Sequence, residues 1–476
     1  MSLDSFATAL LEGKSPNFPA EAKTLEFAKS LDAQDDLRHM REQFNIPTKG
    51  SLRRKTLKPT KNDTISSDDD EASIYFVGNS LGVQPKAVRT HLEAHLDTWA
   101  SIGVNGHFTS FEDSPLASWQ DMAEDCAAQY VPIVGAASKA EVAVMNTLTA
   151  NLHLMMASFF RPTAERHKVI IEWKPFPTDR YAIQSQLQLH NLSPSTSLIE
   201  IQPSATESSG HYLTTASILA TLTEHASSTA LVLLPGIQYY TGQLLDMPRI
   251  TAHARGLGIP FVGWDLAHAV GNVPLSLHEW DVDFAVWCSY KYLNAGPGAM
   301  AGCFVHEKHH DKGMGRMAGW YGADKGSRFE MGREFKAAKG AAGWQLGNPS
   351  AGDLACVKAA LGCFGAVEGG VGRLRRKGVV MTAWLEWLLD GLVEARGGER
   401  VFEIITPRDP RERGQQLSLL FREGVLEGVS ERLVARGVVF DVRKPDVIRV
   451  APVPMYCTFE DVWRFVQILG EALEGV

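Results

Sequence analysis

The middle of the chain alternates short, almost wholly apolar runs with longer segments of helical pattern. The runs are Val169-Ile170-Ile171, Leu198-Ile199-Glu200-Ile201, Ala230-Leu231-Val232-Leu233-Leu234, Phe261-Val262-Gly263-Trp264 and Phe284-Ala285-Val286-Trp287. Segments such as 151–160 and 248–257 lie between them. A strand that is apolar along its whole length has both faces buried, and crossovers by helices keep successive strands parallel. The expected fold class is therefore α/β, with a large, mostly parallel sheet covered by helices on both faces. In such sheets ligands bind outside the carboxyl ends of the strands.

The chain has 476 residues, enough for two or three domains. A formal charge of -8 at pH 7 gives no reason to expect nucleic acid or an anionic membrane as partner. The start, Met1-Ser2-Leu3-Asp4, places an acid where a secretory signal needs a base. No apolar run approaches the ~20 residues that span a bilayer. Six scattered cysteines, Cys126, Cys288, Cys303, Cys356, Cys363 and Cys457, lack zinc-site spacing and read as buried, reduced thiols of a cytoplasmic protein. No residues are assigned to a metal. Residues 1–45 read as helical, and 47–73 as a flexible loop carrying Arg53-Arg54-Lys55 and Asp68-Asp69-Asp70-Glu71. Pro85 suits the first turn of a helix whose Val88, Leu92, Leu96 and Trp99 mark one buried face.

Three strand ends carry chemistry: Trp264-Asp265-Leu266-Ala267-His268, Ser289-Tyr290-Lys291, and Val144-Met145-Asn146-Thr147-Leu148-Thr149, which enters a helix. Each residue alone has a plainer role. Asp265 and Thr149 would serve as helix caps, and Lys291 as a solvated side chain. Together they match what pyridoxal phosphate asks of a protein. Lys291 would form a Schiff base, Asp265 would hold the pyridine nitrogen protonated, and the helix entry at Leu148 and Thr149 would hold the phosphate. Gly296-Pro297-Gly298 is not a dinucleotide fingerprint, and no P-loop occurs.

These residues resemble the pyridoxal-phosphate enzymes of the aspartate-aminotransferase-like fold, in the class-V branch with the cysteine desulfurases. More closely, the chain resembles the kynureninases, in a eukaryotic, fungal-type form. The resemblance spans roughly residues 70–470. It is carried by Tyr75-Phe76-Val77-Gly78-Asn79-Ser80-Leu81-Gly82, Asn146-Thr147-Leu148-Thr149-Ala150-Asn151, Phe176-Pro177-Thr178-Asp179-Arg180-Tyr181, Tyr239-Tyr240-Thr241-Gly242-Gln243, Trp264-Asp265-Leu266-Ala267-His268, Trp287-Cys288-Ser289-Tyr290-Lys291 and Ile448-Arg449-Val450-Ala451-Pro452.

The resemblance implies a role for each position. Lys291 carries the cofactor and moves the substrate's α-proton, and Tyr240 is the candidate proton donor. Leu148 and Thr149 bind the phosphate, which Tyr240 also contacts. Phe176 stacks on the ring, with Pro177, Thr178 and Asp179 beside it, and Asp265 pairs with its nitrogen. His268, Tyr290, Trp320 and Asn348 complete the shell, Trp320 from the second subunit of a homodimer. Arg449 binds the substrate carboxylate, while His107, Asn348 and Ser80 lie on the substrate side. Pro235 stands where animal members have a serine, and proline offers neither hydroxyl nor N–H. The implied reaction is hydrolysis of the Cβ–Cγ bond of L-kynurenine or its 3-hydroxy form, giving alanine and an anthranilate, in tryptophan breakdown and nicotinamide-precursor supply. An aminotransferase or desulfurase would use the same Lys and Asp, but a desulfurase needs a mobile loop cysteine. A non-catalytic relative would be expected to lose Lys291 or Asp265. The expected domains are 110–345 for the cofactor and its sheet, and a smaller α+β domain from 1–109 and 346–476, whose Val438-Val439-Phe440 and Val447–Val450 suit an antiparallel sheet.

Overall fold

A computed structural model describes residues 2–15, 18–58, 66–204 and 210–474. Its chain divides into a sheet unit, Ala87–Tyr239 with Gln243–Val371, and a terminal unit, Met1–Lys86 with Tyr240–Gly242 and Gly372–Val476.

The sheet unit is built on seven strands: β1 (Val142–Val144), β2 (Lys168–Glu172), β3 (Leu198–Ile201), β4 (Thr229–Pro235), β5 (Phe261–Asp265), β6 (Phe284–Trp287) and β7 (Gly302–Val305). Their spatial order is β1-β7-β6-β5-β4-β2-β3. Strands β6, β5, β4, β2 and β3 run parallel, and β7 is antiparallel to both its neighbours. Both faces are covered, as the unbroken apolar runs require. On one face Val169, Ile171, Leu231 and Val286 pack with Met155, Phe159, Ile183 and Leu187 from helices Leu148–Phe159 and Pro177–Leu189. On the other, Trp264 donates its indole N–H to Thr251 of helix Met247–Gly256 at 3.1 Å. Trp287 on that side lies 5.3 Å from the Tyr130 ring of helix Met122–Val134.

Sequence reading missed β7. Its Gly-Cys-Phe-Val is too short to signal more than a loop, and nothing in a strand's composition states its direction. Gly302 is required there, since a Cβ would come within 2.4 Å of the Trp287 indole. Gly263 is tighter still: a Cβ would meet Phe284 Cζ at 2.2 Å in the middle of the sheet. Gly263→Ala is expected to lower stability by about 1–3 kcal/mol through overpacking. A lowered denaturation midpoint with an unchanged slope checks it.

The sheet unit is longer at both ends than the sequence placed it. Helix Ala87–Ile102 and helix Ala351–Gly365 pack on each other, and the second also packs on Met122–Val134, so 87–109 and 346–371 join this unit. Pro85 does not open that helix; Gln84–Pro85 instead pairs antiparallel with Phe44–Asn45. The face read as buried is also not fully covered by the described residues. Val88 is buried, but Leu96 is 54% and Trp99 62% exposed, beside exposed Val104 and Phe108. A helical stripe reports an apolar face, not whose atoms cover it.

The terminal unit holds helices Leu3–Leu11, Leu25–Gln34, Leu426–Ala435 and Phe459–Ala472, with most of Gly370–Ala395. Its antiparallel sheet comprises β8 (Phe402–Ile404), β9 (Leu417–Phe421), β10 (Asp441–Arg443) and β11 (Val447–Val450), in the order β8-β9-β11-β10. Val447–Val450 is thus a strand as expected. Val438–Val439 instead pairs in parallel with Ile74–Tyr75, because β10 takes the edge beside β11. The described flanks of segment 47–73 are not a loose loop. Lys49–Arg53 is a short helix whose ends meet the acidic run: Lys49 pairs with Glu71 at 2.7 Å, and Arg53 with Asp68 at 2.7 Å. Residues 59–65 lie outside the described residues. No single helix among the described residues is long and apolar enough to cross a membrane.

Candidate active site

The carboxyl ends of β2, β4 and β5 open into one cavity of the sheet unit. Asp265, the last residue of β5, accepts the Ala267 N–H at 2.7 Å, which turns its carboxylate into the cavity. The chain then makes one turn, and His268 lines the cavity as well. After β6 the chain continues into Tyr290 and Lys291. The loop that follows is tied back by the Ser289 hydroxyl, which donates to the Met300 carbonyl at 2.7 Å, and by the Ala295 N–H on the Ser289 carbonyl at 3.0 Å. Asn294, Gly296 and Gly298 take positive φ to close this turn. The result fixes Lys291 Nζ at 3.0 Å from His268 Nε2 and 5.7 Å from the centre of the Phe176 ring.

The opposite wall comes from two helix starts. Helix Leu148–Phe159 begins at the cavity, capped by the Thr147 side chain rather than by Thr149. The first N–H groups of a helix have no partner within it, so this end favours an anion. The Thr149 hydroxyl is hydrogen-bonded at 2.8 Å to that of Thr178, from the first turn of helix Pro177–Leu189. Phe176 stands at the N-cap of that second helix, 39% exposed, with its ring edge-on to Tyr239 at 5.2 Å. A large aromatic face left open inside a polar cavity suits a flat ring laid on it.

The floor is acidic. Asp179 and Asp265, each 6% exposed, line the same wall and act on each other's charge. Two buried carboxyls in one wall do not both ionise readily. Burial pushes both upward, but Asp265 is drawn back by the Ala267 amide and by Lys291. Asp179 stays well above the usual range because burial and the neighbouring Asp265 and Glu172 all act against its charge. The proton therefore sits on Asp179, and Asp265 is the carboxylate. Glu172, at the end of β2, is a third buried acid in the same wall, and burial pushes it up to about 8.

Of the residues expected from the sequence, the cavity brings together Leu148, Thr149, Phe176, Thr178, Asp179, Asp265, His268, Tyr290 and Lys291. Pro177 does not line it and takes the first helical position instead, where a missing N–H costs nothing. Trp320 is 46% exposed in a separate depression and packs edge-on against Phe329. His107 lies against Trp119 at 5.0 Å, and Asn348 is exposed. Ser80, Tyr240 and Arg449 belong to the terminal unit. There the Tyr240 carbonyl accepts the Ser418 hydroxyl at 2.7 Å. Arg449, 1% exposed on β11, donates its Nε to Asp441 Oδ1 at 2.9 Å, and its Nη2 lies within ion-pair distance of the same oxygen at 2.8 Å. Glu172, Ile237, Tyr239 and Ala267 also line the cavity and were not foreseen. Glu172 was detectable: a charged residue closing the run Val169-Ile170-Ile171 on an inner strand is costly to bury without a purpose.

Residues 374–469 match the family model of the kynureninase C-terminal domain. The chain is 58% identical to Kynureninase 2 of Chaetomium globosum, over 99% of this chain and 98% of that one. It is also 58% identical to Kynureninase 1 of Neurospora crassa, over 98% of each. Among solved structures, a variant of C-DES with glycine covalently linked to its PLP cofactor matches with a TM-score of 0.67 and 17% identity, over 84% of this chain and 96% of that one. A cysteine desulfurase of Thermococcus onnurineus matches with a TM-score of 0.67 and 14% identity, over 85% and 95%. At those identities the solved structures speak for the α/β fold alone.

Proposed function

The chain belongs to the kynureninase family, and from that membership we propose that it is a pyridoxal-phosphate-dependent hydrolase cleaving the Cβ–Cγ bond of L-kynurenine or 3-hydroxy-L-kynurenine. The products are alanine and anthranilate or its 3-hydroxy form, a step of tryptophan breakdown towards pyridine nucleotides. The observation that carries this reading is the single cavity holding Lys291, Asp265, the exposed Phe176 face and a helix N-terminus.

The donor set fits the cofactor. Leu148 and Thr149 would hold the phosphate at the helix start, with Thr178 sharing its hydroxyl. Phe176 would cover one ring face, and Asp265 would face the ring nitrogen as the carboxylate of its pair with Asp179. Asp179 Oδ1 is buried with no hydrogen-bond partner among the described residues, a polar atom left for a bound group. Bound there, pyridoxal phosphate supplies an electron-accepting ring that disperses negative charge from the substrate's carbons.

The protein's own groups then do the proton work. Lys291 Nζ is held by His268 Nε2 at 3.0 Å, within the range for directed proton transfer. It takes the proton from the substrate's α-carbon and later returns one. Tyr240 is the proton donor to the β-carbon. Arg449 binds the substrate's α-carboxylate, and its contact with Asp441 fixes the guanidinium plane for that purpose. Ser80, His107, Asn348 and Trp320 serve the substrate side, the last from a second subunit. Arg449→Leu is expected to raise KM on the order of a hundredfold with a smaller change in kcat. Steady-state kinetics with L-kynurenine check it.

The exposed face of Leu96, Trp99, Val104 and Phe108 supports a homodimer, since an apolar patch of this kind calls for a cover. All six cysteines are free, which suits a reducing, cytoplasmic setting. Cys356 and Cys363 lie within helix Ala351–Gly365 and not in a loop, which disfavours desulfuration. The test is turnover of both substrates by purified protein with pyridoxal phosphate. Visible absorbance from a bound cofactor and faster cleavage of one substrate support the reading and rank the two. No cofactor absorbance, or no cleavage of either, overturns it.

A further inference from the structure

Asp265, Pro235 and Glu172 close three adjacent strands, β5, β4 and β2, and all three line the cavity. Pro235, level with Asp265, has no N–H and no hydroxyl to offer it. The group that favours the Glu172 charge is its own backbone N–H, and burial outweighs it. Asp179 joins the same wall, pushed towards its neutral form by burial and by Asp265.

The cations nearby are committed elsewhere. Lys291 acts on Asp265 and Asp179. On the far side of β2, Arg180 pairs with Glu200 at 2.6 Å. Lys174 is exposed and lies over the Trp173 ring. The acids that face Glu172 from its neighbours, Asp265 and Glu200, both oppose its charge. Glu172 itself is 3% exposed.

Resting on the hydrolase reading above, we propose that Glu172 is a positioning residue for the reaction: a neutral carboxylic acid that confines the acid cluster's negative charge to Asp265. Were Glu172 ionised, a second buried anion would compete with Asp265 for the charge of the bound ring and of Lys291. Held neutral, it fills the wall and leaves one carboxylate to define where the ring nitrogen sits. Burial, opposed by its own backbone N–H and reinforced by Asp265 and Glu200, pushes the Glu172 carboxyl up to about 8.

The test is infrared spectroscopy of the holoenzyme, comparing the native chain with Glu172→Gln. The native protein at pH 7 is expected to show the C=O stretch of a protonated carboxyl that Glu172→Gln lacks, and to lose it with a midpoint near pH 8. The Asp179 contribution remains in both. In parallel, Glu172→Ala is expected to weaken cofactor binding about tenfold, with Glu172→Gln recovering most of it. If Glu172→Gln does not fold, Glu172→Ala serves for the infrared difference. Identical spectra at pH 7, or a band that persists unchanged through pH 9, overturn the proposal. So does a Gln variant as impaired as Ala. A native protein that shows no cofactor absorbance sinks the hydrolase reading as well, and that outcome is visible before any variant is compared.

Discussion

Lys291→Ala is expected to abolish alanine release while leaving the protein folded. The side chain is the amine of the cavity, 3.0 Å from His268 Nε2 and facing Phe176. Truncation removes both the covalent attachment and the proton carrier, two functions that water cannot replace in a geometry this confined. The loss should exceed about a thousandfold in kcat. Stability should change little, because Lys291 is only partly buried and is not part of the sheet's apolar core. Product assay and thermal denaturation, run on the same preparation, separate a catalytic loss from a folding one.

Asp265→Asn carries the second largest effect. Asparagine keeps the volume and can still accept the Ala267 N–H, so the strand end should hold its shape. What disappears is the Asp265 carboxylate, leaving Asp179 and Glu172, both of which burial still pushes towards the neutral acid. Without that charge a ring nitrogen opposite it loses its proton, and the ring loses most of its capacity to draw electrons. The expected cost is at least about a hundredfold in kcat. Cofactor binding should be weakened far less, because Thr149, Thr178 and the helix start are untouched. Titration of the apoprotein with pyridoxal phosphate beside steady-state kinetics distinguishes the two quantities. Equal losses in binding and in kcat would contradict this division of labour between the acidic floor and the phosphate wall.

The sheet was legible because its strands are buried on both faces, so Val169–Ile171, Ala230–Leu234 and Phe284–Trp287 stand out as apolar runs without any partner being known. Asp265 and Lys291 were legible for the converse reason: they are charged residues that end such runs. Glu172 obeys the same rule and was passed over, because it follows Ile171 with no turn residue to set it apart. The antiparallel β7 was not legible, since direction leaves no mark on composition. Leu96 and Trp99 were misread as core, because periodicity reports an apolar face and not whether the same chain covers it. Domain limits failed for a related reason. Helices Ala87–Ile102 and Ala351–Gly365 are far apart in sequence and meet only through packing. The charge runs around 47–73 looked like solvated loop, yet Arg53 and Lys49 pair with the acidic run at Asp68, Asp69 and Glu71.

Hydrolysis at this site means that water cleaves a carbon–carbon bond of the substrate. The most direct test is the reaction of L-kynurenine with the holoenzyme in oxygen-18 water, with both products measured. Alanine and anthranilate are expected in equal amounts, with water-derived oxygen in the anthranilate carboxylate. A keto acid in place of alanine, or no anthranilate at all, would show that the Lys291 and Asp265 site performs a different reaction.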